Sequence, residues 1–349
     1  MKNRRLLISS VCIALFACAA FSFVQFMPVS PEKNKITERV EVPSGTTVKK
    51  ISLMLKEKKL IRNSMFFYVC ARYSIPRILI SGSPEPFSLK SGVYQISNSM
   101  SYAEIFRILS SGQQEYIRAS FPEGLTVSKI AQKLEDYGVC PAQEFESAAK
   151  DKALLAEYGI SGESFEGFLF PDTYFFTPDM PGSSVVRKMA DNFFEKLKTV
   201  DGASSLDKAE LYKNVVLASI VEREYRIDSE APLIASVFRN RLKHGIGLYS
   251  CATIEYILTE VQGKPHPDVI TYADLSIDSP YNTYKWAGLP PGPISNPGAV
   301  ALDAAINSPK TDYYFFRLVD AKAGRHVFSK DFSTHVNEGY IYSTKKSGN

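Results

Sequence analysis

From Leu6 to Met27 the chain runs for 22 positions without a charged side chain, and no other feature limits its possible architectures so strongly. At ~1.5 Å of rise per residue, a helix of that length crosses a hydrocarbon core of ~30 Å. Lys2, Arg4 and Arg5 stand on its N-terminal side. The tendency of basic flanks to stay inside places residues 1–5 in the cytoplasm, residues 6–27 in the membrane as an anchor, and the body of the chain outside. A cleaved signal peptide is the competing reading. The run is longer than the usual ~7–15-residue apolar region and has no clear Ala-x-Ala site before Pro28. Lipidation at Cys18 is a third reading, disfavoured by the bulky Phe16. All three export the body, so the expectation is a single-pass protein of the cytoplasmic (inner) membrane.

The net charge is +4, and the three basic residues before the apolar run account for all but about one unit of it. A nucleic-acid partner therefore has little electrostatic support. Hydrophobic residues make up 45% of the chain and charged residues 22%, which argues against long disorder. Outside the apolar run lie Cys70, Cys140 and Cys251, so at most one disulfide is available among them. Neither these nor His244, His266, His326 and His335 fall at metal-ligand spacing; no metal site is expected.

Residues 28–37 are polar, contain two prolines and read as a linker. An internal repeat follows. Residues 42–61 and 121–140 share seven of twenty positions, including Thr47-Val48 with Lys50-Ile51 and Thr126-Val127 with Lys129-Ile130. A looser copy spans Ser99 to Leu109. Each copy reads as a short strand, a turn, and a helix capped by Thr or Ser. Gly92 to Ile96 alternates like a strand. Residues 38–120 thus form a small α+β module. Its Thr-Val-x-Lys-Ile phrase resembles LysM, which binds polymers containing N-acetylglucosamine; a purely structural module fits the residues as well.

Residues 121–345 form a second, larger α+β region. It opens on an aromatic stretch, Phe165 to Phe176, and continues with a helix predicted from about Leu206 to Arg226. A further helix is predicted from Glu230 to Lys243, capped by Ser229 and closed by Gly245. Asn296 and Pro297 look like the N-cap and first residue of another. Tyr313–Val319 and Arg325–Ser329 read as a hairpin around Gly324.

The helix through Leu211, Val215, Val216, Leu217, Ile220 and Val221 is apolar on nearly every side, which marks it as buried. Glu222 and Glu224 lie at its C-terminal end. Burial and the negative helix end both raise a carboxyl pKa and favour the proton-donating form, whereas Arg223 or Arg226 would oppose it by pairing. The two glutamates are ~200° apart on a helix, so they cannot share a cleft, and periodicity does not choose between them. Surface ion pairs would suit either.

The segment Ala218-Ser219-Ile220-Val221-Glu222-Arg223-Glu224 resembles the signature helix of the YceG-like (MltG) endolytic murein transglycosylases. Four more segments match that family in order: Gly167–Tyr174, Ala235–Leu242, Tyr281–Tyr284 and Gly288–Ile294. Where family members often carry Gln-Ser/Thr-Asp-Pro-Thr, this chain has Tyr249-Ser250-Cys251-Ala252-Thr253, which puts substrate contacts from that segment in doubt. Tyr225 also follows Glu224, where a small residue is common.

The resemblance implies an α+β catalytic domain behind a membrane helix and LysM-like module, and a reaction needing no cofactor. The second glutamate of the family motif falls on Glu224, which becomes the expected catalytic acid/base; Glu222 keeps a structural role. Asn282, Thr283 and Tyr284 are the expected substrate contacts. Glu166, with Asp172, is a weaker candidate for a second carboxylate. The substrate implied is the peptidoglycan glycan strand, with cell-wall synthases (penicillin-binding proteins) as partners. A hydrolytic muramidase using Glu224 with Glu166 or Asp172, and a non-enzymatic wall-binding scaffold, are the rival readings.

Overall fold

The computed structural model describes residues 24, 27–30, 34–73, 87–112, 116–320 and 322–337. The predicted membrane segment, residues 6–27, lies outside them apart from Val24 and Met27. Among the described residues no helix is long and apolar enough to cross a membrane. The chain is a mixture of helices and small sheets, divided into two units at Tyr116 and Ile117.

In the first unit, β1 (Thr37–Val42) pairs antiparallel with β2 (Gly92–Ser97), with Val40 opposite Tyr94. Among its described residues are also helices α1 (Val48–Glu57), α2 (Ser64–Arg72) and α3 (Tyr102–Ser111). Val40, Ile51, Leu55, Phe67, Tyr94, Ile96 and Ile105 form its core. The predicted caps are present. Thr47 accepts a hydrogen bond from Lys50 N, and Ser101 forms a capping box with Glu104. Each cap satisfies a backbone donor that the first helical turn leaves free.

The second unit starts with β3 (Ile117–Ser120), which pairs antiparallel with β4 (Thr173–Phe176). That pairing is why the division falls four residues before the predicted limit at 120: β3 finds its partner strand downstream. Thr126 caps α4 (Val127–Asp136), so the two copies of the repeat build the same strand–turn–helix element in separate units. Helices α5 (Ala142–Ala149), α6 (Lys152–Tyr158) and α7 (Gly182–Leu197) follow.

At the centre stands α8 (Lys208–Val221), started by an Asp207–Glu210 capping box. Every residue from Val215 to Val221 is buried, as its all-round apolar pattern requires. It lies against α9 (Ala231–Lys243) and α12 (Ala299–Ile306). Between those two run α10 (Cys251–Tyr256), continued by a π-helical turn over Ile257–Val261, and the short α11 (Tyr272–Leu275). After α12 comes the hairpin of β5 (Phe315–Asp320) and β6 (Arg325–Ser329), whose turn includes Gly324.

Two helix starts differ from the predicted ones. Ser229 does not cap α9; residues 228–230 form a 3₁₀ turn, and Glu230 is the N-cap without a side-chain bond of that kind. The Glu230 carboxylate instead takes the His326 backbone N–H and ring Nδ1. Asn296 and Pro297 do not open α12, whose N-cap is Gly298. Asn296 is turned inward, where its side chain serves other backbone groups.

The aromatic stretch reaches α8 through Gly167, which has a left-handed φ of +86°. A Cβ there would lie 2.6 Å from Pro293 Cβ and 2.8 Å from Val215 Cγ1. Strain and overpacking then act together, so Gly167→Ala is expected to cost about 2–4 kcal/mol. Urea unfolding at unchanged m-value measures it; a loss under half a kcal/mol would show that this contact is soft.

Candidate active site

The α8 ladder ends at Val221, earlier than the predicted Arg226. Beyond it the chain tightens: Arg223 N bonds to Ile220 O at 3.1 Å and Glu224 N to Val221 O at 3.0 Å. Three-residue bonds of this kind are usual where a helix runs out of partners. Glu224 therefore sits on a turn at the end of a buried helix, and the two glutamates diverge.

Glu222 turns to α12. Its Oε2 accepts the Gly298 N–H at 2.9 Å, placing a carboxylate at the positive end of that helix. Burial pushes the Glu222 carboxyl up to about 7, against the pull of that N–H.

Glu224 turns to the segment after α9. It is half-buried, and its Oε1 accepts a short hydrogen bond from the Ser250 hydroxyl. Burial raises its pKa; the Ser250 hydroxyl and the guanidinium groups of Arg223, Arg241 and Arg226 pull it back. The outcome is a carboxyl that favours its proton yet has cations and a donor ready for the anion. Arg223 is held by Glu255 at 2.5 Å, and Glu255 also meets His266 Nε2 at 2.7 Å. Arg241 is buried, donating from Nε to Tyr314 O and from Nη1 to Leu248 O.

Ser250 is placed by its neighbours. Its N–H donates to Thr283 Oγ1 at 3.1 Å, and Thr283 is paired with Thr253 Oγ1 at 2.9 Å. These bonds explain which parts of the 249–253 departure matter here. Ser250 and Thr253, the two positions that keep the family's residue types, carry the polar framework under Glu224. Of the altered positions, Tyr249 and Cys251 are exposed and Ala252 is buried, with Cys251 Sγ 3.0 Å from Tyr284 Oη.

The other predicted site residues divide. Tyr284 is half-buried; burial and its contact with Cys251 raise its phenol pKa, and the Glu224 charge adds to the rise. Thr283 is buried and supports Ser250. Asn282 is fully buried, donating to Leu275 O and Ile277 O while accepting from Tyr284 N. Its amide shapes the loop that presents Tyr284. Glu166 is buried at the start of α4, accepting from Val127 N and from Asn296 Nδ2. Burial pushes it up to about 8. Asp172 is exposed and bonds Thr173 N and Asn192.

Ser250 and Arg241 escape detection by spacing alone, because neither shares an element with Glu224. Removing the Ser250 hydroxyl deletes a bond that favours the Glu224 anion. Ser250→Ala is therefore expected to move the alkaline limb of the pH–rate profile upward and to lower kcat about tenfold. A purely structural serine would leave the limb where it was.

A sequence model of the YceG-like family matches residues 40–339. An endolytic murein transglycosylase from Bacillus subtilis (strain 168) is 30% identical over 328 residues, covering 89% of this chain and 86% of that protein. One from Streptococcus pneumoniae is 27% identical over 360 residues; the match covers 93% of this chain but only 62% of the pneumococcal protein. The crystal structure of a yceG-like protein from Listeria monocytogenes superposes with a TM-score of 0.57 at 29% identity, covering 87% of this chain and 99% of that one. The matched span takes in both units, from β1 to the hairpin and beyond, and with it Glu224 and its surroundings: the chain belongs to the YceG-like family.

Proposed function

We propose that this chain is an endolytic lytic transglycosylase that cuts peptidoglycan glycan strands, with Glu224 as its acid/base. The observation that carries the reading is a half-buried carboxyl at the end of a buried helix, raised by desolvation and held by Ser250 among three arginines.

Cleavage of a glycosidic bond needs a proton on the leaving oxygen and stabilisation of an oxocarbenium-like transition state. The protonated Glu224 donates to the oxygen bridging N-acetylmuramic acid and N-acetylglucosamine, and the C1–O bond breaks. The C6 hydroxyl of the same muramic residue bonds to C1, and its proton passes to the Glu224 carboxylate. A 1,6-anhydro end results, the acid is restored, and water is not consumed. An internal nucleophile has a high effective molarity, so one carboxyl suffices. While Glu224 is ionised, Ser250 and the nearby guanidinium groups stabilise it. Tyr284, and through the loop Asn282 and Thr283, set the wall against which a sugar lies.

The 22-residue uncharged run anchors the enzyme in the cytoplasmic membrane with its catalytic unit outside. The first unit serves as a LysM-like module that engages the strand. Cutting within nascent strands beside cell-wall synthases would set glycan length.

The test is digestion of purified glycan strands by the full chain, with mass spectrometry of the new ends. 1,6-Anhydro ends are expected. Reducing ends would replace the lytic reading with a hydrolytic one, and uncut strands would leave a wall-binding role.

A further inference from the structure

The site has one backbone feature that the reaction above does not use. Tyr249 has a φ of +52°, a left-handed conformation that is a genuine outlier for a bulky side chain. Such strain costs of order 1–3 kcal/mol and persists only where the surroundings enforce it. Here they do. The Tyr249 N–H is tied to Thr283 O at 3.2 Å, and the next residue, Ser250, is tied to both Thr283 and Glu224.

The strain does not serve burial, because Tyr249 remains 49% exposed. It serves orientation. The ring rests on Gly247, where a Cβ would come within 2.9 Å of Tyr249 Cε1 and within 2.9 Å of Thr283 O. The Arg241 guanidinium lies 5.6 Å from the ring centre, and the Tyr284 ring 5.6 Å away, tilted by 58°. Tyr284 is itself fastened by Asn282 behind it and Cys251 beside it. Two aromatic rings are thus locked at an angle next to the carboxyl, one braced underneath and open to solvent above.

We propose that Tyr249 is a specificity-determining residue, its exposed ring forming with Tyr284 an angled aromatic wall that stacks on an N-acetylhexosamine ring of the strand seated at Glu224. The inference rests on the lytic reading for the identity of the strand. Pyranose rings present faces of C–H groups that pack on aromatic faces, and a ring held before binding loses little entropy on contact. The Tyr249 phenol can also reach a hydroxyl or acetamido group at the edge of the sugar.

The test separates strain from contact. Asn tolerates the left-handed conformation better than Tyr. Tyr249→Asn is therefore expected to melt at or above the temperature of the unaltered chain while binding strands more weakly. Affinity for purified, uncrosslinked glycan strands is measured on the full chain carrying Glu224→Gln, so that it does not depend on cleavage. Tyr249→Asn and Tyr249→Ala are expected to weaken it about tenfold, and Tyr249→Phe to retain it within about twofold. With Glu224 intact, KM rises by the same factor and kcat changes by less than about threefold. Unchanged affinity and KM in a folded Tyr249→Asn chain that still yields 1,6-anhydro ends overturn the assignment and leave the lytic reading standing. Weakened affinity in a chain whose unaltered form yields no such ends overturns the lytic reading and leaves the wall in place. A Tyr249→Asn chain that melts well below the unaltered one shows that the ring is there for the fold, and the assignment falls.

Discussion

Glu224→Gln is expected to lower the rate of strand cleavage by about a thousandfold while leaving the protein folded. Gln keeps the shape of Glu, and its amide oxygen still accepts from the Ser250 hydroxyl. What it lacks is a transferable proton. Both halves of the reaction use that proton, first on the bridging oxygen and then on its return from the C6 hydroxyl. The loss should therefore fall on kcat, with KM nearly unchanged. Stability moves the other way. Burial already favours the neutral form of Glu224, so a permanently neutral isostere should keep or raise the melting temperature at pH 8. Retention of more than about a tenth of the activity would assign the acid to another group, with Glu222 and Glu166 the first to test.

The largest effect on stability is expected at Asn296, which is 1% exposed. Its Oδ1 accepts from Leu169 N at 2.9 Å, and its Nδ2 donates to Leu125 O at 3.0 Å and to Glu166 Oε1 at 2.9 Å. Its own N–H adds a bond to Leu125 O at 2.8 Å. One side chain thus joins the aromatic stretch, the loop before α4 and a buried carboxyl. Asn296→Leu strands the Leu169 N–H and takes the amide donor from Glu166, which should cost about 3–5 kcal/mol. A fall in the urea midpoint at constant m-value measures it; a loss below about 1 kcal/mol would show that water replaces the amide.

Two buried carboxyls, Glu166 in this network and Glu222 beside Gly298, make stability depend on pH. Glu166 titrates at about 8 and Glu222 at about 7, both above the ~4.3 of an unfolded Glu. A raised carboxyl favours folding in its protonated form. That contribution is full below the unfolded pKa and is lost as pH rises through about 7 and then 8. Melting temperature should fall from about pH 5 and level off above about pH 8, and Glu222→Gln should flatten the part of the fall below about pH 7. An unaltered slope in that variant would place the titrating group elsewhere.

Much of this protein was legible in its residues because the signals are local. Capping at Thr47, Ser101 and Thr126 and the burial of Val215–Val221 need only neighbours along the chain, since hydrogen-bond donors and apolar faces repeat at helical spacing. The repeated strand–turn–helix element was visible for the same reason. The ordered motifs that mark the family were visible in the same way. The partners of these elements are not local. Which way Glu222 and Glu224 point was decided by Gly298 and Ser250, 76 and 26 residues away. Asn296 looked like a helix cap by its dipeptide, yet buried backbone groups at Leu125 and Leu169 claimed its amide, because an unpaired polar group in the interior costs more than an uncapped helix end. Asn282 likewise looked like a sugar ligand and is consumed by the loop that carries Tyr284. The sequence alone determined the family, through local motifs kept in order; only the tertiary structure decided the surroundings of Glu224, because a carboxyl's proton affinity depends on burial and on charges brought from distant parts of the chain.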